Sequence, residues 1–354
     1  MSRFFSEKYL DLEPYTPGEQ PRNKQEIKLN TNENPYPPLP EVAEAAAQEC
    51  RKLNLYSDPE SRELRKALAQ TLGVDKDEII VTNGSDEILN YAFMAFCDEH
   101  IPAVFPDITY GFYPVFARIN MIPYEEIPLK DDLTIDIQQY FQAAGTLFIA
   151  NPNAPTGIAL KRSEIEEILA RNPYNVVVVD EAYVDFGGES CVPLIREYDN
   201  LLVTQTFSKS RSMAGGRLGF GVANKELIQD LNAMRNSTNP YNVNRLTSAA
   251  GIACLRNDEY NRKNCRTIIE TRAQIERELK DMGFEMTTSL TNFLFARHPA
   301  ISGEDLYREL KARGILIRHF NRERIRDYNR ISIGTPEQMK ILASAIREIL
   351  EGRE

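Results

Sequence analysis

Short apolar runs alternate with longer amphipathic segments along most of the chain, from about residue 40 to residue 296. The apolar runs have the length and composition of β-strands. They are Ile79–Thr82, Ala103–Phe105, Thr146–Ala150, Val176–Asp180, Leu201–Thr206 and Phe220–Ala223. The amphipathic segments place apolar residues at helical spacing. They are Glu41–Leu53, Ser61–Leu72, Asp86–Phe96, Tyr110–Ile119, Ser163–Arg171, Arg245–Arg256 and Glu259–Met282. Because strands and helices that alternate along a chain build parallel sheets, the pattern predicts an α/β fold with a mixed, mostly parallel sheet flanked by helices.

The pattern changes at both ends of the chain. The first 40 residues are rich in proline and asparagine, which excludes a regular helix and predicts an ordered arm or surface loop. After Gly283 the chain predicts short strands and two helices, which are typical of a small α+β domain. These segments are Phe284–Thr287, Asn292–Arg297, Asp305–Arg313, Ile315–Arg318, Arg330–Ile333 and Pro336–Leu350. We therefore expect an N-terminal arm at 1–40, a large domain at 41–280 and a small C-terminal domain at 281–354, with which the arm is free to pack.

Composition narrows the class of protein. The 354 residues include 42 basic and 52 acidic side chains, and the net charge of −10 disfavours binding to nucleic acid or to an anionic membrane. No apolar run reaches the roughly 18 residues of a membrane span, and residues 1–10 lack the apolar core of a signal peptide. The five cysteines have no CxxC spacing and predict reduced thiols, as in a cytoplasmic protein. Three scattered histidines form no metal-binding motif, so no metal is expected, and an enzyme of this composition needs another residue to move protons.

Polar clusters follow four of the predicted strands, at the points where the strands end. They are Gly84-Ser85-Asp86, the segment NPNAPTG at 151–157, Asp180 with Glu181, and Ser208-Lys209. In open α/β sheets, ligands bind outside the carboxyl ends of the strands. The four clusters therefore predict one cleft.

Part of this chemistry suits a phosphate. The backbone N–H groups of Ser85 and Asp86 open a helix, and helix N-termini bind anions. Thr206 and Ser208 offer hydroxyls, and Arg217 offers a guanidinium that can bind phosphate through two hydrogen bonds. Ser85 and Asp86 alone also fit an ordinary helix cap.

The remaining groups suit an aromatic cofactor. Asp180 ends an apolar strand, where an unpaired charge is costly and a protonated ring nitrogen is a fitting partner. Lys209 could form a Schiff base if burial or a nearby cation lowers the pKa of its amine. Taken alone, Asp180 also fits a helix cap or a metal site, and Ser208-Lys209 a solvated loop. Asn151 precedes Asp180 by 29 residues, and Asp180 precedes Lys209 by the same number. Together the groups meet the requirements of pyridoxal 5′-phosphate.

Several motifs carry a resemblance to a known family. TFSKSRSMAGGRLGF at 206–220 is similar to the lysine signature of fold-type-I pyridoxal-phosphate aminotransferases, and NPNAPTG and DEAYVDF are similar to its companion motifs. LNTNENPYPP, YSDPES, TNGSDEIL, TYGFYP and RISIGT extend the resemblance over nearly the whole chain, and the histidinol-phosphate aminotransferase family is the best match. The resemblance implies a fold-type-I transferase with a large cofactor-binding domain and a small C-terminal domain.

The resemblance also implies roles for single residues in binding the cofactor. Lys209 would form the Schiff base and shuttle a proton between the substrate α-carbon and the cofactor C4′, and Asp180 would keep the pyridine nitrogen protonated. Asn151 and Tyr183 would donate hydrogen bonds to the 3′-oxygen of the ring, and Tyr110 would stack on the ring. The phosphate would be held by Ser85, Asp86, Thr206, Ser208 and Arg217.

Other residues are implied in substrate binding and assembly. Arg330 and Arg318 resemble arginines that bind substrate anions, and Tyr15, Asn32 and Asn34 lie in segments that resemble a closing arm. Tyr56 resembles a tyrosine that reaches the phosphate of a neighbouring subunit, which implies a homodimer. Two positions depart from the family pattern, namely Ala154, where relatives commonly carry asparagine, and Gly216 before Arg217.

The implied activity is transamination between L-glutamate and imidazole-acetol phosphate, which gives L-histidinol phosphate in histidine biosynthesis. An aromatic amino-acid aminotransferase and a threonine-phosphate decarboxylase share most of the cofactor motifs and stay open. A non-enzymatic effector-binding module is the alternative of another class. It is disfavoured because no GxGxxG fingerprint follows the early strands.

Overall fold

The computed structural model describes residues 2–10, 12–21 and 26–353, so residues 1, 11 and 22–25 of the predicted arm, and residue 354, lie outside the described part. The strands, in chain order, are β1 Ile27–Lys28, β2 Ile79–Thr82, β3 Ala103–Pro106, β4 Tyr124–Ile127, β5 Thr146–Ala150, β6 Val177–Asp180, β7 Leu201–Thr206, β8 Gly219–Ala223, β9 Glu285–Met286, β10 Phe293–Arg297, β11 Ile315–Leu316, β12 Arg318–His319 and β13 Asn329–Ser332. The α-helices, in chain order, are α1 Pro40–Glu49, α2 Arg62–Leu72, α3 Ser85–Phe96, α4 Tyr113–Ile119, α5 Arg162–Arg171, α6 Lys225–Thr238, α7 Arg245–Arg256, α8 Asp258–Asp281, α9 Gly303–Ala312 and α10 Pro336–Glu351.

The described residues form a central sheet of seven strands in the order β2-β8-β7-β6-β5-β3-β4. The five strands from β7 to β4 in this order pair in parallel. β8 runs antiparallel to both of its neighbours, β7 and β2. The predicted α/β fold with a mixed, mostly parallel sheet is therefore confirmed.

The alternation of side chains along the central strands explains the unbroken apolar runs. In β6, Val177 and Val179 face the core beneath α2 and α5, whereas Val178 faces the core beneath α3 and α6. On that second face the rings of Phe93 and Phe148 stack with their centroids 4.0 Å apart. Helices on both faces favour apolar side chains on both sides of a strand. Polar residues such as Thr204 and Asp180 lie toward the carboxyl ends of their strands.

The parallel pairing brings the carboxyl ends of the strands to one edge of the sheet. Ala150 at the end of β5 pairs with Asp180 at the end of β6, and Asp180 pairs with Thr204 in β7. The chain then continues from β7 into Ser208 and Lys209 at the same edge. Residues that are far apart in the sequence therefore meet beside one another.

A second sheet, β12-β13-β10-β9, lies in the C-terminal part of the chain and is antiparallel. Its core includes α9, α10 and the buried side of α8 from Cys265 to Leu279. β1 pairs in parallel with β11, and Leu29 is buried in the same core. The end of the N-terminal arm thus packs with the C-terminal part rather than with the central sheet.

Most predicted elements lie within four residues of their observed boundaries. Three elements were not predicted, namely β1, β4 and α6. β4 exposes Glu125 and Glu126 at the edge of the sheet, and β1 is only two residues long. The predicted strand at Ile315–Arg318 is in fact two short strands, β11 and β12, which pair with different partners.

Candidate active site

A cavity of about 710 Å³ opens at the carboxyl edge of the central sheet, between the arm and the C-terminal part. Its lining includes most of the side chains that the sequence singles out. These are Tyr15, Asn32, Ser85, Asp86, Tyr110, Asp180, Tyr183, Thr206, Ser208, Lys209, Arg217, Arg318 and Arg330. The four clusters at the strand ends thus contribute to one site.

One end of the cavity is built to accept an anion. The first turn of α3 presents its free N–H groups there. Arg217 lies beside them, and its Nη1 donates to the Ser208 hydroxyl over 3.4 Å. Gly84 adopts φ +81°, and a methyl group at this position would come within 2.6 Å of the Arg217 Nη2 atom. Glycine is therefore needed for the guanidinium to approach the helix N-terminus.

Asp86 organises the polar groups at the same end. Its carboxylate accepts a hydrogen bond from the Tyr110 hydroxyl over 2.6 Å and one from Arg217 Nη2 over 3.1 Å. Burial, followed by the charge of Asp86, raises the pKa of Tyr110 well above its ordinary value, so Tyr110 stays protonated. The Tyr110 ring is thereby fixed along one wall of the cavity.

Asp180 lies at the base of the cavity and is only 5% exposed. Its carboxylate accepts three hydrogen bonds of 3.2 to 3.3 Å, from Tyr113, Thr204 and the backbone N–H of Ala182. Burial and the nearby Asp86 raise the pKa of Asp180 to about 6. Among the described residues, no basic side chain forms an ion pair with it. A buried carboxylate without a cationic partner is an incomplete arrangement, which a protonated ring nitrogen would complete.

Lys209 extends into the same cavity from the loop after β7. Its Nζ donates to the Thr31 carbonyl over 3.1 Å and lies 5.8 Å from the centroid of the Tyr183 ring. The backbone carbonyl of Lys209 accepts a hydrogen bond from Asn34 over 3.0 Å. β1 itself pairs with the C-terminal part, and Thr31 and Asn34, which follow β1 in the chain, contact the lysine.

Two arginines from the C-terminal part of the chain also line the cavity. Arg330 Nη2 donates to the Asn30 carbonyl over 3.1 Å, and its Nε has no hydrogen-bond partner among the described residues. Burial lowers the pKa of Arg330 from its ordinary value. Arg318 donates to the carbonyls of Thr16 and Pro17. Within the described chain neither arginine is paired with a carboxylate, so both are available to an anionic ligand.

Residues of the N-terminal arm, among them Tyr15 and Pro17, also line the cavity. The ring of Tyr15 stacks on Phe112 with centroids 4.3 Å apart. Glu13 pairs with Arg118 over 3.0 Å, which ties the same stretch of the arm to α4. This stretch of the arm thus contacts both α4 and Arg318 of the C-terminal part.

Three predicted site residues are not part of the cavity lining. Asn151 lines a neighbouring cavity, Asn34 donates to the backbone carbonyls of Lys209 and Ser210, and Tyr56 is 79% exposed on the surface. Ala154 lines the cavity instead of Asn151. The role of Tyr56 at the phosphate of a second subunit stays a prediction.

Four residues that form hydrogen bonds with the predicted site residues were not singled out in the sequence. Tyr113 and Thr204 bond to Asp180, Thr31 accepts from Lys209, and Ser332 bonds to Asn32. Thr204 and Thr206 are two residues apart in β7, so their side chains share one face of the sheet. That spacing was the available signal for Thr204, whereas the others depend on tertiary packing.

Residues 2–10, 12–21 and 26–353 contain no cluster of three or more histidine, cysteine, aspartate or glutamate side chains that could hold a metal ion. None of the helices in this part of the chain is long and apolar enough to cross a membrane.

A cavity lined by a lysine, a buried carboxylate and an anion-binding helix N-terminus is that of a pyridoxal-phosphate-dependent enzyme. Comparison with known sequences agrees with this class. Residues 24–346 match the family described as aminotransferase class I and II. The chain belongs to this family.

Individual relatives narrow the comparison. Histidinol-phosphate aminotransferase 1 of Bradyrhizobium diazoefficiens is 46% identical over 350 residues, which cover 99% of this chain and all of that protein. The histidinol-phosphate aminotransferase of Brachyspira hyodysenteriae is also 46% identical, over 353 residues, with 99% and 100% coverage. The solved structure of histidinol-phosphate aminotransferase from Sinorhizobium meliloti, in complex with pyridoxal-5′-phosphate, is 25% identical with a TM-score of 0.85, covering 93% of this chain and 92% of that one.

Proposed function

We propose that this protein is a pyridoxal-phosphate-dependent aminotransferase that interconverts L-histidinol phosphate and 2-oxoglutarate with imidazole-acetol phosphate and L-glutamate, in histidine biosynthesis. The observation that carries the proposal is one cavity lined by the anion-binding N-terminus of α3, by two arginines that pair with no carboxylate of the described residues, and by Lys209 and Asp180. The full-length similarity to histidinol-phosphate aminotransferases supports the choice of substrate.

The residues at the base of the cavity suit pyridoxal phosphate. The cofactor, when bound, supplies an electron sink for the bonds of the substrate α-carbon. Asp180 supplies the negative charge that keeps a ring nitrogen protonated, and this contact removes the cost of burying the carboxylate alone. Ser208, Thr206, Arg217 and the first N–H groups of α3 bind the phosphate.

Lys209 has two tasks in this proposal. Its Nζ holds the cofactor covalently and, once released, moves a proton between the substrate α-carbon and the cofactor C4′. The Thr31 carbonyl already accepts a hydrogen bond from Nζ, so the amine has a defined resting direction. The absence of histidine from the described cavity lining is then no obstacle to proton transfer.

The two anionic substrates use the same end of the cavity in turn. Arg330 binds a carboxylate, and Arg318 with Tyr15 and the arm accepts either the second carboxylate of glutamate or the phosphate of histidinol phosphate. Both guanidiniums already donate to backbone carbonyls of the arm, so an anion that replaces these contacts also changes how the arm is held.

We further propose a cytoplasmic homodimer in which Tyr56 reaches the phosphate site of the partner. Its ring stacks on Tyr241 with centroids 4.5 Å apart, and Leu53 and Leu55 are also more than half exposed nearby in the chain. An exposed apolar group of this kind is typical of a surface that another protein covers. The division into an arm at 1–40, a large domain at 41–280 and a small domain at 281–354 belongs to the same proposal.

The experiment uses purified protein supplied with pyridoxal phosphate. Wild type should show a visible absorption band and should aminate imidazole-acetol phosphate with glutamate as donor. Lys209→Ala should fold, lose the band and lose turnover, whereas the exposed Lys161→Ala should keep both. Release of carbon dioxide from threonine phosphate without amino transfer would instead favour the decarboxylase. A wild-type protein that binds no pyridoxal phosphate would refute the proposal.

A further inference from the structure

The NPNAPTG segment contributes no asparagine to the lining of the cavity. Ala154 and Pro152 line the cavity from this segment, and Tyr183 lines the same cavity. Both ends of the Asn151 amide are occupied by Leu160, since Oδ1 accepts from its N–H over 2.8 Å and Nδ2 donates to its carbonyl over 3.1 Å. Of the two side chains expected to reach the cofactor 3′-oxygen, the described cavity lining therefore contains Tyr183 alone.

The Tyr183 hydroxyl is held by a residue of the N-terminal arm. Asn32 Nδ2 donates to the Tyr183 oxygen over 2.9 Å. The tyrosine oxygen is thus an acceptor in this contact, and its own hydrogen remains to be donated elsewhere. In the part of the chain that the structure describes, the hydroxyl has no acceptor, and Tyr183 lines the cavity.

Ser332 determines which end of the Asn32 amide faces Tyr183. The Ser332 Oγ atom accepts a hydrogen bond from the backbone N–H of Asn32 over 2.9 Å. It also donates its own hydrogen to Asn32 Oδ1 over 2.8 Å. Because the amide oxygen is occupied by this donor, the amide NH2 group must point at Tyr183.

The backbone around Asn32 is equally well defined. Asn32 is 1% exposed and adopts φ +57°, a left-handed conformation that asparagine tolerates better than most residues. Its carbonyl accepts a hydrogen bond from the buried Asn292 over 2.9 Å. Ser332 lies two residues after Arg330 in β13, and Arg330 contacts Asn30 in the same stretch of the arm. The C-terminal sheet therefore fixes the arm, and the arm fixes the tyrosine.

We propose that Asn32, locked by Ser332, is a positioning residue that directs the Tyr183 hydroxyl hydrogen to the 3′-oxygen of the cofactor, in a cavity to which neither Asn151 nor Ala154 of the NPNAPTG segment supplies a second donor. This inference rests on the proposed function, because it concerns the bound cofactor. Donation from Tyr183 stabilises negative charge on the 3′-oxygen. The 3′-oxygen is then a weaker hydrogen-bond acceptor for the proton on the Lys209 nitrogen. Loss of the orientation should therefore make this nitrogen more basic.

The test measures the pH midpoint at which the absorption band of the holoenzyme changes. Tyr183→Phe should raise the midpoint by about one pH unit, which is the scale of one hydrogen bond to a charged oxygen. Asn32→Gly, which tolerates the left-handed backbone but lacks the amide, should raise it by a comparable amount. The double variant Asn32→Gly/Tyr183→Phe should rise no further than Tyr183→Phe alone, because the two residues act through one hydrogen bond.

The control is Asn329→Ala. Asn329 is also a buried asparagine but lies in β13, and its amide donates to the Gly303 carbonyl over 2.9 Å. This variant should lower stability and leave the midpoint in place. The charged and titratable groups that face the cavity stay unchanged in all these variants apart from Tyr183. They are Tyr15, Glu33, Asp86, Tyr110, Asp180, Lys209, Arg217, Arg318 and Arg330.

Two results would overturn the inference. One is an Asn32→Gly midpoint equal to wild type beside a shifted Tyr183→Phe, and the other is shifts of the two single variants that add in the double variant. If Asn32→Gly does not fold, Ser332→Ala takes its place in the same cycle, with the same expected and contrary results. A wild-type protein without any band would refute the proposed function instead, so the two failures are distinguishable.

Discussion

Arg217 and Asp86 form an ion pair of 3.1 Å beside the first turn of α3, where the proposed phosphate lies. The Ser208 hydroxyl and the Tyr110 hydroxyl hold the two partners from either side. The guanidinium is therefore oriented before any ligand enters. Preorganisation of this kind lowers the entropic cost of binding.

We expect Arg217→Gln to weaken the binding of pyridoxal phosphate by about 10- to 100-fold, the scale of a lost hydrogen bond to a charged group. Titration of the cofactor-free protein, followed by absorbance, gives the dissociation constant. Arg217→Lys keeps the charge but loses the planar fork, so it should fall between wild type and Arg217→Gln. An unchanged dissociation constant in Arg217→Gln would place the phosphate elsewhere.

Asp180 should make the cofactor-free protein less stable as the pH rises. Its pKa is about 6 in the folded chain, because of burial and Asp86, and about 4 in an unfolded chain. The unfolded chain therefore loses this proton first, so stability decreases between about pH 4 and pH 6 and stays reduced above that range. The shift corresponds to about 2 to 3 kcal/mol.

Asp180→Asn removes this cost and should also remove the partner of the ring nitrogen. In urea denaturation the cofactor-free variant should be more stable than wild type at pH 8, and the difference should shrink at pH 5. Its activity with cofactor should be mostly lost. The exposed Asp131→Asn is the matched control and should give the same difference from wild type at both pH values. A pH-independent difference for Asp180→Asn would show that the buried carboxylate is not the source.

The central sheet was predictable because its strands are covered on both faces, and two-sided burial leaves an unbroken apolar run such as Val177–Val179. Strands at the edge of a sheet, and short strands that depend on a partner far away in the sequence, give no such apolar run. β4 has glutamates on its exposed positions, and β1 exists only because β11 lies beside it.

The site was predictable where a residue lies at the end of a parallel strand, as Asp180 and Lys209 do. Asn151 shows the limit of this reasoning. Its position after β5 was correct, but a side-chain amide can turn to either side of the chain, and here it bonds to Leu160. Asn32 and Ser332 are 300 positions apart in the sequence, and only the folded chain brings them together.

Arg330→Gln should raise the Michaelis constant for glutamate by about 10- to 100-fold, because the charge-assisted bonds to the carboxylate are lost. The absorption band of the bound cofactor should remain, since Arg330 bonds to Asn30 of the arm, whereas the proposed cofactor phosphate binds at Arg217 and Ser208. Steady-state kinetics with glutamate as the varied substrate measure the effect. The exposed Arg326→Gln, on the same C-terminal part of the chain, should behave as wild type. Wild-type kinetics in Arg330→Gln would refute the assignment of this arginine.

Tyr56 gives a test of shared active sites. Tyr56→Phe removes the hydroxyl that we expect at the partner's phosphate, and cofactor should be lost on dialysis about 10-fold more readily. Lys209→Ala subunits are inactive but carry an intact Tyr56. If the sites are shared, a dimer of one Lys209→Ala subunit and one Tyr56→Phe subunit has one complete site, so mixing the two proteins under exchange conditions should restore tight cofactor binding and activity at low cofactor concentration. Tyr174→Phe, at another highly exposed tyrosine, is the control and should retain cofactor on its own. Activity that only averages the two parent proteins would mean that each site is built from one chain.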